Sequence, residues 1–131
     1  WKLGGTIITF YLLEGIFGLP VFSGTPEKGS GVIYFVGPTM GYLIGFVFAA
    51  MLSGFFKFNK NIIYNFLKLI FSVSVIYFLG IIWLGSLIGW DKPIIDLGVK
   101  PFLLAELFKI TMLSLIVTLF NDKLSVLKRW M

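Results

Sequence analysis

The chain has 131 residues, 58% of them apolar and only 13% charged, with a net charge of +5 and a mean hydropathy of +0.97. A soluble globular domain carries roughly 25% charged residues, so the composition excludes one and indicates an integral membrane protein. Its positive charge is therefore a topology signal rather than a sign of nucleic-acid binding, and the lack of Cys and His removes disulfides, ordinary zinc sites and imidazole-assisted nucleophiles.

Four apolar blocks approach or exceed the roughly 20 helical residues that cross a hydrocarbon core. The first, about 3–19, is interrupted only by Glu14 and is ended by Pro20 and the Gly/Ser/Pro-rich stretch 23–31. The second, 38–56, opens on Pro38, whose missing N–H suits a first helical turn, and stops at Lys57, Asn59, Lys60 and Asn61. The third, 62–89, is long enough to cross with a tilt and ends at Trp90, Asp91, Lys92 and Pro93. The fourth, 99–120, has Pro101 in its opening turn and stops at Asn121, Asp122 and Lys123. Continuous apolar runs do not alternate as barrel strands do, so all four are expected to be α-helices in one transmembrane domain, 1–131.

Outside the spans, Lys2, Lys57, Lys60, Lys123, Lys128 and Arg129 fall on one side, and Lys28, Lys92 and Lys100 on the other, where Glu27, Asp91 and Asp96 balance them. The basic side is expected to be cytoplasmic, with both chain ends on it. The loops 21–37 and 90–98 then face outward.

Charges at membrane depth are costly and each needs a reason. Lys68 lies near the cytoplasmic end of the third span, where a long side chain can snorkel to the interface. Glu14, about 9 Å along the axis from Pro20, and Glu106, about 12 Å from Gly98, both fall in the outward half, which suggests an outward-facing polar cavity. Glu106 and Lys109 are spaced i, i+3 and share a helix face. They form either an intrahelical ion pair or the two halves of a polar site. A carboxylate accepts and an ammonium donates, so together they suit a ligand offering N–H and carbonyl or carboxylate groups, such as a ureido ring or an amide.

Gly37, Gly41, Gly45 and Ala49 recur every four residues along the second span. Such a stripe admits close helix packing, while its outward end, Gly37–Tyr42, adds the Thr39 hydroxyl, the Tyr42 phenol and accessible backbone at Gly41 that a ligand can approach. Phe22, Tyr34, Phe35 and Trp90 are either interfacial anchors or walls of an apolar pocket. There is no Walker-type Gly-x-x-x-x-Gly-Lys, no Gly-x-Gly-x-x-Gly and no Gly-x-Ser-x-Gly. Neither an enzyme nor a bound cofactor or metal is expected, and transport would have to draw energy from a gradient or a partner.

Three segments together resemble the BioY family, the biotin-specific substrate-binding (S) components of energy-coupling factor (ECF) transporters. Residues 11–24, Tyr-Leu-Leu-Glu-Gly-Ile-Phe-Gly-Leu-Pro-Val-Phe-Ser-Gly, resemble the end of the family's third helix and its Gly-Leu-Pro-Val-Phe loop. Residues 37–46, beginning Gly-Pro-Thr-Met-Gly-Tyr, are similar to its Gly-Pro-Thr-Gly-Gly-Tyr signature, with Met40 in place of the central Gly. Residues 98–109 resemble the Pro-Phe segment opening the last helix, with Glu106 where the family usually has Asp and Lys109 three residues on.

The resemblance implies a membrane bundle whose outward pocket binds biotin through its ureido ring and carboxylate. Glu106 and Lys109 fall on the family's ligand-contacting acid and Lys. Thr39, Gly41 and Tyr42 lie in the signature, and Phe22 and Ser23 in the loop near it. It also implies a cytoplasmic-membrane location within the lipid bilayer, a membrane coupling protein and two ATPase subunits as partners, and no nucleic acid. Family members have six spans and this chain resembles the last four, so an N-terminally truncated chain is expected. The alternatives are an S component for another small vitamin and a structural membrane subunit without a ligand.

Overall fold

The structure, a computed structural model, describes residues 1–22 and 31–121, with only the backbone at Tyr34. Expectations that fall on Ser23, Glu27, Lys28, Asp122, Lys123, Lys128 and Arg129 lie outside the described residues. The described residues are helical and contain no strand. In chain order they form α1 (Lys2–Ile16), a short α2 (Val32–Phe35), α3 (Met40–Phe55), α4 (Ile62–Ile88), a short α5 (Ile94–Gly98), a 3-10 turn (Lys100–Phe102) and α6 (Leu103–Leu119).

The helix ends follow from particular residues. Helix α1 stops a turn before Pro20 because Gly18 adopts φ +85°, with Gly18 N donating to Gly15 O (3.1 Å) and Leu19 N to Glu14 O (3.1 Å). That is the glycine-closed Schellman ending. At the start of α4, Asn61 Oδ1 accepts from the backbone of Ile63 (3.0 Å) and Tyr64 (3.3 Å), satisfying two donors that the first turn leaves open. Its other end closes at Gly89, φ +95°.

The fourth apolar block, expected as one helix from residue 99, opens instead with a 3-10 turn and becomes α-helical at Leu103, after a short α5 that ends at Gly98. Val99 leaves the helical region at φ −124°, ψ −57°, and the chain re-enters α6 through the 3-10 turn that contains Pro101. Pro101 has no N–H to donate to the Leu97 carbonyl four residues earlier, and its ring crowds that carbonyl, so α5 cannot run on into α6 and the break sits at this point rather than deeper in the span.

Helix α4 lies between α3 and α6, and α3 between α1 and α4. The most extensive interface is α3 on α4, and small residues make it. A Cβ at Gly45 would come within 2.7 Å of the Ile76 Cα, and one at Gly41 would strike Trp83 and Leu79. On the facing helix, Gly80 leaves room for the ring of Tyr42. The buried residues of α4, Asn65, Leu69, Ser72, Ile76, Gly80 and Leu84, recur every three or four positions and form its inward stripe. Helix α1 meets α3 through Gly4 against Ala50 and the stacked rings of Trp1 and Phe55 (4.9 Å).

Large apolar side chains cover the outside. Leu104 is 84% exposed and Phe17 82%, a surface that suits lipid and not water. Helix α4 and the stretch Ile94–Leu119 are long and apolar enough to cross a membrane, and α3 is a shorter apolar helix. The chain is an all-helical membrane protein.

Candidate functional site

A cavity of about 740 Å³ opens between α3, α4, the α5–α6 corner and the segment after α1. Its size is that of a small-molecule pocket. Five residues singled out from the sequence line it: Phe22, Thr39, Tyr42, Glu106 and Lys109. They come from three separate parts of the chain, the segment after α1, the start of α3 and α6, so only the packing of the helices brings them together.

The charged wall belongs to α6. Glu106 is partly buried and Lys109 mostly exposed, and Lys109 Nζ lies 3.7 Å from Glu106 Oε2. The phenol of Tyr77, on α4, donates to the same Oε2 at 3.3 Å. Its ring meets that of Tyr42 edge to face, with centroids 6.3 Å apart, and the Tyr42 hydroxyl donates to Gly98 O at 2.9 Å. Gly98 must be glycine for this, since a Cβ would collide with that hydroxyl. The turn entering α3 is fixed by Trp83 Nε1, which donates to Gly37 O at 2.9 Å.

The remaining wall is apolar, with Phe22, Leu43, Phe46, Ile76, Leu84 and Phe102 around the cavity. Phe22 is buried and held by edge contacts with Tyr11 (5.3 Å) and Phe35 (5.5 Å). Tyr11 in turn donates to Val21 O at 3.1 Å. The arrangement can therefore take an amphipathic molecule, its apolar body against aromatic rings and its polar groups at Glu106 and Lys109.

Some expectations are placed elsewhere. Gly41 was expected to offer backbone to a ligand, but it is buried against Trp83 and Leu79 and serves the α3–α4 contact. Glu14 is exposed on α1 and does not line the cavity. Trp90 packs over Gly85 rather than lining it. Ser23 lies outside the described residues. Tyr77 was missed, although a phenol in an apolar run needs a hydrogen-bond partner, and that requirement was the available signal. A second, more open groove of about 510 Å³ runs between α1 and α3, with Lys2 as its one charged lining residue; it lacks a carboxylate.

Residues 1–125 match the model of the BioY family. The chain belongs to the BioY family. It is 34% identical over 108 residues to a protein of Pyrococcus horikoshii named "Probable biotin transporter BioY", covering 82% of this chain and 62% of that one. It is 34% identical over 116 residues to the "Biotin transporter BioY" of Thermotoga maritima, covering 88% and 67%. With the "Biotin transporter BioY2" of Lactococcus lactis the identity is 32% over 118 residues, covering 87% and 60%. The aligned part of this BioY-family chain thus spans between 60% and 67% of these relatives' length. No solved structure matches it.

Proposed function

We propose that this BioY-family chain binds biotin and serves its uptake as the substrate-binding S component of an ECF transporter. The observation that carries the reading is the Glu106–Lys109 pair, set in the wall of an otherwise apolar cavity, in a chain related along most of its length to proteins named biotin transporters. Biotin offers ureido N–H donors, a ureido carbonyl, a carboxylate and an apolar body. Glu106 can accept from the N–H groups, and Lys109 can donate to a carbonyl or carboxylate. Phe22, Phe46 and Phe102 supply apolar surface, and Thr39 a hydroxyl at the rim.

In this reading 1–131 is one transmembrane domain. Helices α1, α3, α4 and the stretch 94–119 cross the cytoplasmic membrane, with the cavity open outward and Lys57 and Lys60 on the cytoplasmic side. Release of the ligand inward is driven by a separate membrane coupling protein and two ATPase subunits. No covalent step is involved.

The test is equilibrium binding of labelled biotin to the detergent-purified chain, competed with thiamine and with riboflavin. Saturable binding that only unlabelled biotin displaces supports the proposal. Displacement by thiamine or riboflavin points to an S component for another vitamin, and absence of saturable binding points to a structural subunit.

A further inference from the structure

Two donors converge on one oxygen of Glu106. Tyr77 Oη lies 3.3 Å and Lys109 Nζ 3.7 Å from Oε2, whereas among the described residues nothing hydrogen-bonds or pairs with Oε1. Tyr77 reaches across from α4, so the contact fixes the carboxylate relative to a different helix from its own. We infer that Tyr77 is a positioning residue for the ligand: by holding Oε2 it turns Oε1 toward the cavity as the acceptor for a ligand N–H. The inference rests on the biotin reading, in which that N–H belongs to the ureido ring.

Three further observations support this role. The Tyr77 ring is itself braced, edge to face against Tyr42, and Tyr42 is tied through its hydroxyl to Gly98 O. A line of contacts thus runs from the α5–α6 corner through α3 and α4 to the carboxylate on α6. Because the Tyr42 hydroxyl donates its proton to Gly98, it cannot also donate to Glu106, and the task falls to Tyr77. The 3.3 Å separation is longer than an optimised O–H···O hydrogen bond. It has room to shorten when a bound ligand draws Lys109 toward its own carbonyl or carboxylate, and Tyr77 then remains as the donor that keeps Oε2 occupied.

A side chain that aims one acceptor affects only ligands that use the acceptor. The experiment therefore compares biotin with a biotin analogue methylated on the ureido nitrogens, binding each to the wild-type chain and to Tyr77→Phe. The phenylalanine ring keeps the packing against Tyr42, and ligand-free thermal unfolding of both proteins reports that the fold is retained. The expected result is a loss of about tenfold in biotin affinity, the size expected for one hydrogen bond to a charged group, with the methylated analogue changed less than twofold. Selectivity for biotin over the analogue then falls by about tenfold. Equal weakening of both ligands would mean that Tyr77 only shapes the cavity, and no change in either would mean that Glu106 needs no positioning; both outcomes overturn the inference while leaving the biotin reading intact. A wild-type chain that binds no biotin overturns the two together.

Discussion

Helices α4 and α6 are joined by polar side chains at two levels, and the two crossings are built differently. At one level Asn65, fully buried, accepts from Asn59 N (3.1 Å) and donates to Asn59 O (2.7 Å) and to Thr118 Oγ1 (2.9 Å). Thr118 passes its own proton to Ser114 O (2.7 Å). At the other level Tyr77 meets Glu106, a cavity-lining residue, and among the described residues only one oxygen of its carboxylate is engaged. The intervals 65–77 and 106–118 are equal, about 18 Å along each axis, so one antiparallel contact carries both. The difference separates two uses of polarity inside an apolar bundle. A polar group whose hydrogen bonds the protein completes holds helices together, and one left incomplete is available for a ligand to complete.

The sharpest way to break this comparison is Glu106→Ala. If the carboxylate is there for the ligand, biotin affinity in equilibrium binding falls by at least about 100-fold, the scale of one or two charge-assisted hydrogen bonds. Ligand-free thermal unfolding stays close to wild type, since the protein gives that carboxylate one long hydrogen bond and one loose ion pair. A fall in stability matching the loss of binding would mean that both crossings are structural.

Asn65→Ala should do the reverse. Removing the amide leaves the Asn59 N–H and C=O without this partner and takes from Thr118 Oγ1 the hydrogen bond it accepts, while its own bond to Ser114 O remains, a loss of about 2–3 kcal/mol in unfolding free energy. Biotin affinity of the folded fraction stays within about twofold, because the cavity lies at the other level. If affinity falls as far as stability, the Asn65 contact sets the register of α6 at the site as well, and the two levels are one device.

How far the sequence reads this arrangement depends on which coordinate is asked for. Height along a helix comes from counting residues at about 1.5 Å each, and on that basis Glu106, Lys109, Thr39 and Tyr42 all belong to one end of their spans, the end at which the cavity lies. Azimuth does not come from counting, because it is set by the neighbour a helix packs against. The same count puts Glu14 toward that end, yet it lies on the exposed part of α1. Gly41 is one residue from Tyr42 and faces α4 instead of the cavity. Tyr77 and Asn65 went unread for a related reason: each looks like an isolated polar residue in an apolar block until its partner on α6, 29 or 53 residues later, is brought against it. The start of the fourth span near Val99 was legible from Pro101, but the short helix α5 before it and the 3-10 turn that opens it were not. Family resemblance supplied Phe22 as a site residue, which composition alone left open between anchor and wall.

Tyr42 sharpens the comparison because it belongs to both categories. Its hydroxyl completes a hydrogen bond inside the protein, to Gly98 O, while its ring lines the cavity. Tyr42→Phe removes the first role and keeps the second. Stability should fall by about 1 kcal/mol, the usual worth of one internal hydrogen bond, and biotin affinity by a few-fold as the α5–α6 corner loosens. Unfolding and binding measured on the same preparation check whether the two losses occur together, as a shared brace requires.

The smallest effect is expected at Lys68, the other cation within the helices joined by these crossings. Its Nζ donates to Lys57 O at 2.7 Å, one hydrogen bond from an exposed side chain to a loop carbonyl that water can also reach. The ammonium is at the end of α4 near the α3–α4 loop and has no place in the cavity lining, so neither of the two uses of polarity applies strongly. Lys68→Met should shift stability by no more than about 0.5 kcal/mol and leave biotin affinity unchanged. A loss as large as that of Asn65→Ala would mean that the loop between α3 and α4 is held by Lys68 as much as by Asn65. The division between completed and incomplete polar groups would then have to be drawn by what each group holds in place, and not by how deeply it is buried.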